Sequence, residues 1–156
     1  MKIIYFFYQL FIALPILLVA TILTCTTIIV GTSIGNAHFW SYWPGKIWSM
    51  LFCYVLLLPV RVKRNPNVRK DTSYVFVANH QGAFDIFMIY GFLGHDFKWL
   101  MKKGIRKIPL IGKASESAGH IFVDKSGPKK IYAIIIHARK VLTGGNSIGI
   151  FPAGSR

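Results

Sequence analysis

Hydrophobic positions fill the first third of the chain with almost no charge among them. Residues 3–30 read IIYFFYQLFIALPILLVATILTCTTIIV, and no charged residue lies between Lys2 and Lys46. About 20 apolar residues are enough to cross a bilayer as a helix. The stretch therefore predicts a membrane anchor. A cleaved signal peptide is the alternative, although the apolar stretch is long for a signal and no clear cleavage site of small residues follows it.

A second apolar stretch, residues 47–60, is short for a full span and predicts an interfacial or re-entrant helix. The segment 36–46 before it is rich in Trp and Tyr, which is typical of the membrane interface. The run RVKRNPNVRK (61–70) is rich in Lys and Arg. Basic residues beside a membrane segment favour the cytoplasmic side and bind anionic headgroups, unless this run is a plain solvated linker. We therefore predict anchoring helices over 1–62, in the inner or cell membrane, with the following domain facing the cytoplasm.

After residue 70 the hydrophobic pattern alternates between strand-like and helix-like segments. Short runs rich in β-branched and aromatic residues predict strands at 73–79, 97–102, 120–125 and 146–152. The first of these is expected to be buried. Helices are predicted at 82–94, 111–119 and 128–143. The last helix has Ser126 as its expected N-cap. This alternation predicts an α/β fold over residues 63–156, a mostly parallel sheet flanked by helices, preceded by the membrane-embedded two-helix segment.

Charge narrows the range of partners. The formal net charge is +14, and every charged residue except Lys2 and Lys46 lies after residue 60. A basic domain favours nucleic acid, anionic lipid or phosphorylated substrates. The apolar first third favours lipid, and no nucleic-acid-binding module is recognisable, so we predict no nucleic-acid partner. Two cysteines lie in apolar stretches and five histidines lack the spacing of a metal site, so no metal is predicted.

A histidine and an aspartate stand at the first predicted strand-to-helix junction, in VANHQGAFDIF (77–87). A helix that begins near Gly82 places Asp85 about one turn in, within reach of the His80 imidazole. A carboxylate that accepts a hydrogen bond from one ring nitrogen fixes the tautomer of the imidazole, and the other nitrogen can then accept a proton. Without a serine beside them, the two suit activation of a substrate hydroxyl. Gly82 allows close backbone approach, and its N–H can point toward an anion or oxyanion. A histidine that merely belongs to the helix cap is the alternative.

Two segments, around Ser33 and Ser147, match the G-x-S-x-G motif of hydrolases. A nucleophile elbow needs a strand before the serine and a helix after it. Ser147 has the reverse order, and Ser33 ends the first apolar segment. We interpret both as glycine turns.

Three blocks of sequence occur in order from about residue 73 onward. The first is NHQGAFD (79–85). The second consists of Lys102, Pro109, Gly112, Gly119 and IFVDK (121–125). The third is FPAGSR (151–156). Together these resemble the N-H-x4-D, K…P-x-x-G…G-x-x-F-[IV]-D-R and F-P-E-G-[TS]-R blocks of the glycerolipid acyltransferases, typified by bacterial 1-acylglycerol-3-phosphate acyltransferase. The two apolar segments resemble that family's N-terminal helix pair.

The resemblance implies a reaction. A fatty acyl group would pass from acyl-CoA or acyl-carrier protein to the free hydroxyl of 1-acyl-sn-glycerol-3-phosphate (lysophosphatidic acid), giving phosphatidic acid for phospholipid biosynthesis. The acceptor oxygen attacks the thioester directly, so no cofactor is expected beyond the acyl donor. His80 would take the hydroxyl proton and Asp85 would orient His80. Arg156 and Lys125 would hold the acceptor phosphate, with Gly154 and Ser155 beside them.

Three departures from the family pattern qualify these expectations. Ala153 replaces a glutamate, and Lys125 replaces an arginine, so it binds phosphate as a point charge without the bidentate fork. The chain also stops after the third block, whereas the family continues through a fourth, so we interpret the α/β domain as C-terminally incomplete and expect weak or no activity. A catalytically impaired, membrane-bound scaffold or lipid-binding protein is the alternative function.

Overall fold

The computed structural model of the chain describes residues 2–124 and 126–152. Its helices are α1 Lys2–Tyr8, α2 Leu14–Ile34, α3 Ala37–Val55, α4 Phe84–Phe92, α5 Ile111–Ser117 and α6 Pro128–Thr143. Its strands are β1 Val75–Val77, β2 Phe97–Lys102, β3 Ile121–Val123 and β4 Ser147–Ile150. The chain packs as two units: residues up to Val62 together with Ala83–Gly94, and Lys63–Gly82 together with residues from His95 onward. The predicted domain division between residues 62 and 63 stays a prediction.

The longest element of the first unit is one continuous helix, Lys2–Ile34. It consists of α1 and α2 joined by a π-helical turn, Gln9–Ala13. This wider turn ends two residues before Pro15, which has no N–H to donate to the preceding turn of the helix. At 1.5 Å per residue the 33-residue helix is about 50 Å long, against about 30 Å for a bilayer's hydrocarbon core. Among the described residues it is the one helix long and apolar enough to cross a membrane.

Helix α3 turns back along α2 and packs against it antiparallel. The reversal occurs at Asn36, whose φ of 36° is left-handed and whose side chain accepts the Phe39 N–H at 3.2 Å. Along the pair, the Trp48 indole N–H donates to the Thr21 hydroxyl at 2.9 Å. At the far end of the pair, the Tyr8 hydroxyl donates to the Val55 carbonyl at 2.7 Å.

The sequence prediction was wrong about the bounds of this second helix. Residues 36–46 were expected to be an interfacial segment outside it, but α3 begins at Ala37 and continues through Pro44. Gly45 is a site of close packing, since a Cβ there would lie 2.6 Å from the Tyr90 ring. Packing against α2 and α4 therefore keeps the chain helical through Pro44 and Gly45, two residue types that disfavour the interior of a helix. A second membrane-embedded helix stays a prediction, because α3 lacks the apolar length of the first.

Helix α4, predicted at 82–94, belongs to the first unit by its packing on α3. The Phe87 ring stacks on Phe52 with centroids 3.7 Å apart and an interplanar angle of 7°. Near the other end of α4, the Tyr90 hydroxyl donates to the Ser41 carbonyl at 3.3 Å. An aromatic and aliphatic helix of this kind gains its stability from such burial.

The second unit is built on a four-stranded sheet in the order β1-β4-β2-β3, and all three strand pairs are parallel. Gly149 of β4 lies opposite Trp99 of β2. A Cβ at Gly149 would come within 2.6 Å of the fully buried Phe97 ring, so glycine lets the β2 aromatic side chains Phe97 and Trp99 pack over β4. The predicted α/β class with a parallel sheet is confirmed.

The expectation that the first strand is buried was wrong. β1 is an edge strand, and its Val75 and Val77 side chains are exposed. A run of β-branched residues indicates a strand but does not distinguish an edge from a centre, because burial depends on which strands pair with it. The centre of the sheet is instead occupied by β4 and β2.

The α6 start also differs in detail from the prediction. Its N-cap is Gly127, with φ of 135°, and Pro128 is the first helical residue. Ser126 does not cap α6; its N–H and hydroxyl both donate to the carboxylate of Asp124. The serine therefore tightens the turn between β3 and α6.

Candidate active site

The carboxyl ends of the four strands meet at one edge of the sheet because every strand pair is parallel. This edge is where α/β proteins collect their binding and catalytic groups. His80 follows the end of β1 by three residues and Phe151 directly follows β4. Lys103 directly follows β2 and Asp124 directly follows β3. All four residues are therefore presented by the same unit at the same edge.

The His80 ring is fixed by aromatic stacking. Its centroid lies 4.4 Å from that of Phe151, with an interplanar angle of 25°. Phe151 in turn stacks on Trp99 at 5.0 Å and 20°. We call His80, Phe151 and Trp99 the ring stack. The Ala78 N–H donates to the Ile150 carbonyl at 3.2 Å, which continues the β1–β4 pairing toward His80 and Phe151.

The two ends of the ring stack differ in exposure. Trp99 is buried in β2, whereas His80 is exposed. The stack thus connects the sheet's core to a solvent-accessible imidazole. A ring held on one face by an aromatic neighbour has a restricted orientation.

Asp85 lies in the first turn of α4, half-buried, where a carboxylate is favoured by the helix dipole. His80 belongs to the sheet unit and Asp85 to the helical unit. Their pairing stays a prediction. Gly82 lies in the bend between them and is exposed, and a Cβ there would meet no atom within 4 Å. No described protein atom requires glycine at that position, and the predicted close approach to a ligand stays a prediction.

Asp124 anchors a charged cluster at the end of β3. Its Oδ2 accepts from the Lys103 and Lys130 amines, each at 2.9 Å. Hydrogen bonds from Ser126, Lys103 and Lys130 hold the pKa of Asp124 well below its usual range. The carboxylate is therefore charged at any physiological pH, and it ties the β2 and β3 loops to the first turn of α6.

Sequence reasoning did not identify Lys103 as a partner of Asp124. The signal was its position directly after a strand, at the edge where the other polar groups collect. Lys125, Gly154, Ser155 and Arg156, predicted to bind substrate, lie outside the described residues, as does Ala153.

A second polar cluster lies inside the sheet unit. The Lys98 side chain is buried, 3.8 Å from Asp96, and burial lowers the pKa of its amine. The Trp99 backbone N–H donates to His120 Nδ1 at 3.2 Å. Burial, and secondarily the Lys98 charge, lowers the pKa of His120 to about 3. A neutral histidine that accepts a backbone hydrogen bond has a structural role in the sheet unit.

Ser147 has no feature of a nucleophile. It is 1% exposed, and its Oγ accepts the Tyr74 N–H at 3.0 Å. A helix precedes it and a strand contains it. The hydrolase reading at this serine was rightly set aside, because the side chain helps pair β4 with the residue before β1.

Comparison with known proteins adds independent findings. A family model described as Acyltransferase matches residues 59–156. The chain is 30% identical over 112 residues to 1-acyl-sn-glycerol-3-phosphate acyltransferase LPAT1, chloroplastic, of Arabidopsis thaliana, covering 71% of this chain and 31% of that protein. It is 32% identical over 100 residues to 1-acyl-sn-glycerol-3-phosphate acyltransferase of Borreliella burgdorferi, covering 64% and 40%. With the Saccharomyces cerevisiae protein of that name it shares 27% identity over 126 residues, covering 80% and 41%. The chain thus spans less than half the length of these relatives. No solved structure matches it at a significant level.

Proposed function

Because the chain belongs to the acyltransferase family, as its three motif blocks predicted, we propose that it is an O-acyltransferase acting on 1-acyl-sn-glycerol-3-phosphate. It would transfer a fatty acyl group from acyl-CoA or acyl-carrier protein to the free hydroxyl of that lipid. The product is phosphatidic acid, an intermediate of phospholipid biosynthesis. The names of the relatives in a plant, a bacterium and a yeast support this acceptor.

One observation carries the chemical part of the proposal: an exposed imidazole, His80, is held by the ring stack at the carboxyl edge of a parallel sheet. A base that must receive a substrate proton has to be both accessible and oriented. Phe151 contributes the orientation through its stacking, and the strand edge contributes the access.

In the proposed reaction His80 accepts the proton of the acceptor hydroxyl as the oxygen attacks the thioester carbonyl. A C–O bond forms and a tetrahedral oxyanion develops, which the backbone N–H of Gly82 can stabilise. The C–S bond then breaks, and the thiolate of CoA or carrier protein takes the proton from the His80 imidazolium. Asp85 would stabilise that imidazolium and set the tautomer. No enzyme nucleophile and no cofactor take part.

The acceptor phosphate would be bound by Arg156 and Lys125, together with the turn of Gly154 and Ser155. This assignment rests on the family resemblance of FPAGSR and IFVDK. Charge-assisted contacts to phosphate are stronger than neutral hydrogen bonds. A lysine at position 125 supplies charge without the guanidinium fork.

The helix Lys2–Ile34 supports a membrane-associated enzyme. We propose that it anchors the chain in a cell membrane with the sheet unit on the cytoplasmic side, where the basic run 61–70 meets anionic headgroups. A lipid acceptor that is itself a bilayer component then needs no release into water. The substitution at Ala153 favours one alternative, a membrane-bound lipid-binding protein with impaired catalysis.

The test is an assay of the purified chain in detergent with 1-acylglycerol-3-phosphate and labelled acyl-CoA or acyl-carrier protein. Labelled phosphatidic acid is the expected product, formed slowly because Ala153 replaces the family's glutamate. Wherever transfer is measurable, His80→Ala should lower its rate by about 10²–10⁴-fold, the usual contribution of a positioned base. His137→Ala, an exposed histidine on α6, is the matched control and should have no effect. If the folded chain binds the lipid but forms no product with either donor, the lipid-binding alternative is favoured.

A further inference from the structure

Helix α6 presents an apolar face that the sheet does not cover. Its half-buried residues Ile134, Ala138, Val141 and Leu142 recur at helical spacing and identify the side that packs on the strands. A second set is exposed and extends from beside that side around the helix: Ile131, Ile135, Tyr132 and Ile136. Tyr132 is 66% and Ile135 57% exposed. We call this second set the α6 apolar face.

Basic residues border the α6 apolar face. The helix carries Lys129, Lys130, Arg139 and Lys140 and no acidic residue. Lys130 pairs with Asp124, whereas Lys129, Arg139 and Lys140 are exposed around the face. Scattered single apolar residues on a surface are ordinary, but four contiguous ones are a recognised mark of an interaction site. An apolar stripe edged by Lys and Arg is typical of a helix that lies in the interface of an anionic bilayer.

We propose that the α6 apolar face docks on the surface of an anionic lipid bilayer. The charge pattern selects this occupant, because Arg139 and Lys140 complement phosphate headgroups while Tyr132 and Ile136 enter the headgroup–acyl boundary. The chain also carries its own anchoring helix, Lys2–Ile34, which would hold the sheet unit at high local concentration beside a membrane. Docking of α6 gives the sheet unit a contact with lipid that does not depend on that helix. The proposed docking of α6 is independent of the acyl-transfer proposal and rests only on the proposed membrane association of the chain.

The depth of α6 relative to the bilayer surface can be measured by labelling the full chain, reconstituted into bilayers, with a fluorescent maleimide. Cys25 and Cys53 are buried, so a dye should react selectively at an introduced exposed cysteine, with the unsubstituted chain as the blank. Ile136→Cys places the dye on the apolar face. His137→Cys is the matched control, since it is exposed and adjacent in sequence but lies about 100° further around the helix. Lipids with bromine or nitroxide on the acyl chain serve as quenchers.

We expect stronger quenching at position 136 than at 137, and an increase when phosphatidylglycerol is mixed into phosphatidylcholine. Arg139→Gln with Lys140→Gln should lower the docked-to-undocked ratio by about fivefold per base on anionic bilayers, and by much less on phosphatidylcholine alone. Lys107→Gln with Lys113→Gln removes the same charge from exposed positions outside α6 and should leave the ratio unchanged.

Two results would overturn the inference. Equal quenching at 136 and 137 in both lipid mixtures would show that the face does not meet lipid. A blue-shifted emission at 136 that persists in detergent, and rises with protein concentration, would show that a second copy of the chain covers the face. Because acyl transfer is not the readout, neither result bears on the proposed reaction.

Discussion

Replacing Phe151 by leucine tests whether the ring stack positions the proposed base. Leucine keeps an apolar side chain after β4 but removes both ring contacts, to His80 at 4.4 Å and to Trp99 at 5.0 Å. An aromatic pair contributes about 0.5–1.5 kcal/mol beyond its buried area. If the whole of the His80 contact serves to orient the imidazole, its loss lowers kcat by about 2- to 13-fold, at about 1.36 kcal/mol per tenfold.

The assay is steady-state transfer of a labelled acyl group to 1-acylglycerol-3-phosphate, with kcat and KM measured separately. We expect kcat to fall and the acceptor KM to change little, because the ring stacks on the proposed base, whose role is proton transfer and not phosphate binding. Phe151→Tyr retains a ring and should restore most of the rate. Phe122→Leu makes the same side-chain change on β3 and serves as the matched control. In NMR spectra, loss of the Phe151 ring should also move the His80 imidazole proton signals downfield, as they leave the ring's shielding.

The positioning role is refuted if Phe151→Leu retains wild-type kcat while His80→Ala abolishes transfer. Equal losses in Phe151→Leu and Phe151→Tyr would refute it as well, since a ring is present in one and absent in the other. A thermal unfolding midpoint measured for each variant separates these outcomes from simple loss of the fold.

Three further predictions concern stability. Asp124→Asn should lower the thermal unfolding midpoint, because the Lys103 and Lys130 amines lose their carboxylate partner. The decrease should be smaller in molar salt, which screens exposed ion pairs. An equal decrease at all salt concentrations would contradict the ionic account. Gly112→Ala should lower the free energy of unfolding by about 1–3 kcal/mol in denaturant titrations, because the added Cβ overlaps the Arg106 carbonyl, whereas Gly104→Ala meets no atom within 4 Å and should cost far less. Burial lowers the pKa of His120 from 6.5 to about 3 in the folded state. The contribution of the neutral histidine to the free energy of unfolding is therefore fully present above pH 6.5. As pH falls from 6.5 toward 3, only the unfolded state gains a proton, so the free energy of unfolding decreases by up to about 1.4 kcal/mol per pH unit. His120→Asn should flatten that part of the stability–pH curve, and an unchanged slope would exclude His120 as its cause.

Several features of this protein were determined by the sequence alone, because they depend on local physics. Alternating β-branched and aromatic runs indicated all four strands, and the prediction at 97–102 coincides with β2. Pro128 marked the start of α6, since its fixed φ suits the first helical turn. The uncharged stretch after Lys2 indicated the long apolar helix. The order of predicted strands and helices also placed His80 at a strand-to-helix junction, where the structure has it.

Other features were decided only by tertiary structure, because they depend on contacts between residues far apart in the chain. The order β1-β4-β2-β3 makes β1 an exposed edge, which no property of its own three residues indicates. The same order brings Phe151 beside His80, 71 positions earlier, and no local pattern encodes that stacking. Lys103 meets Asp124 for a similar reason: β2 and β3 pair in parallel, so their carboxyl ends coincide.

Packing also overrode local signals in the helical unit. Residues 36–46 were expected to be an interfacial segment between two apolar segments. Helix α3 instead runs through them and through Pro44, because contacts with α2 and α4 along its length outweigh one missing hydrogen bond. Residues 84–92 were recognised as a helix by their apolar length, but their packing on α3 was not foreseeable from periodicity. Local sequence specified which elements form and which residues stand at their ends. The pairing of strands and the choice of helix partners followed from which buried surfaces fit together, and this is a property of the whole chain.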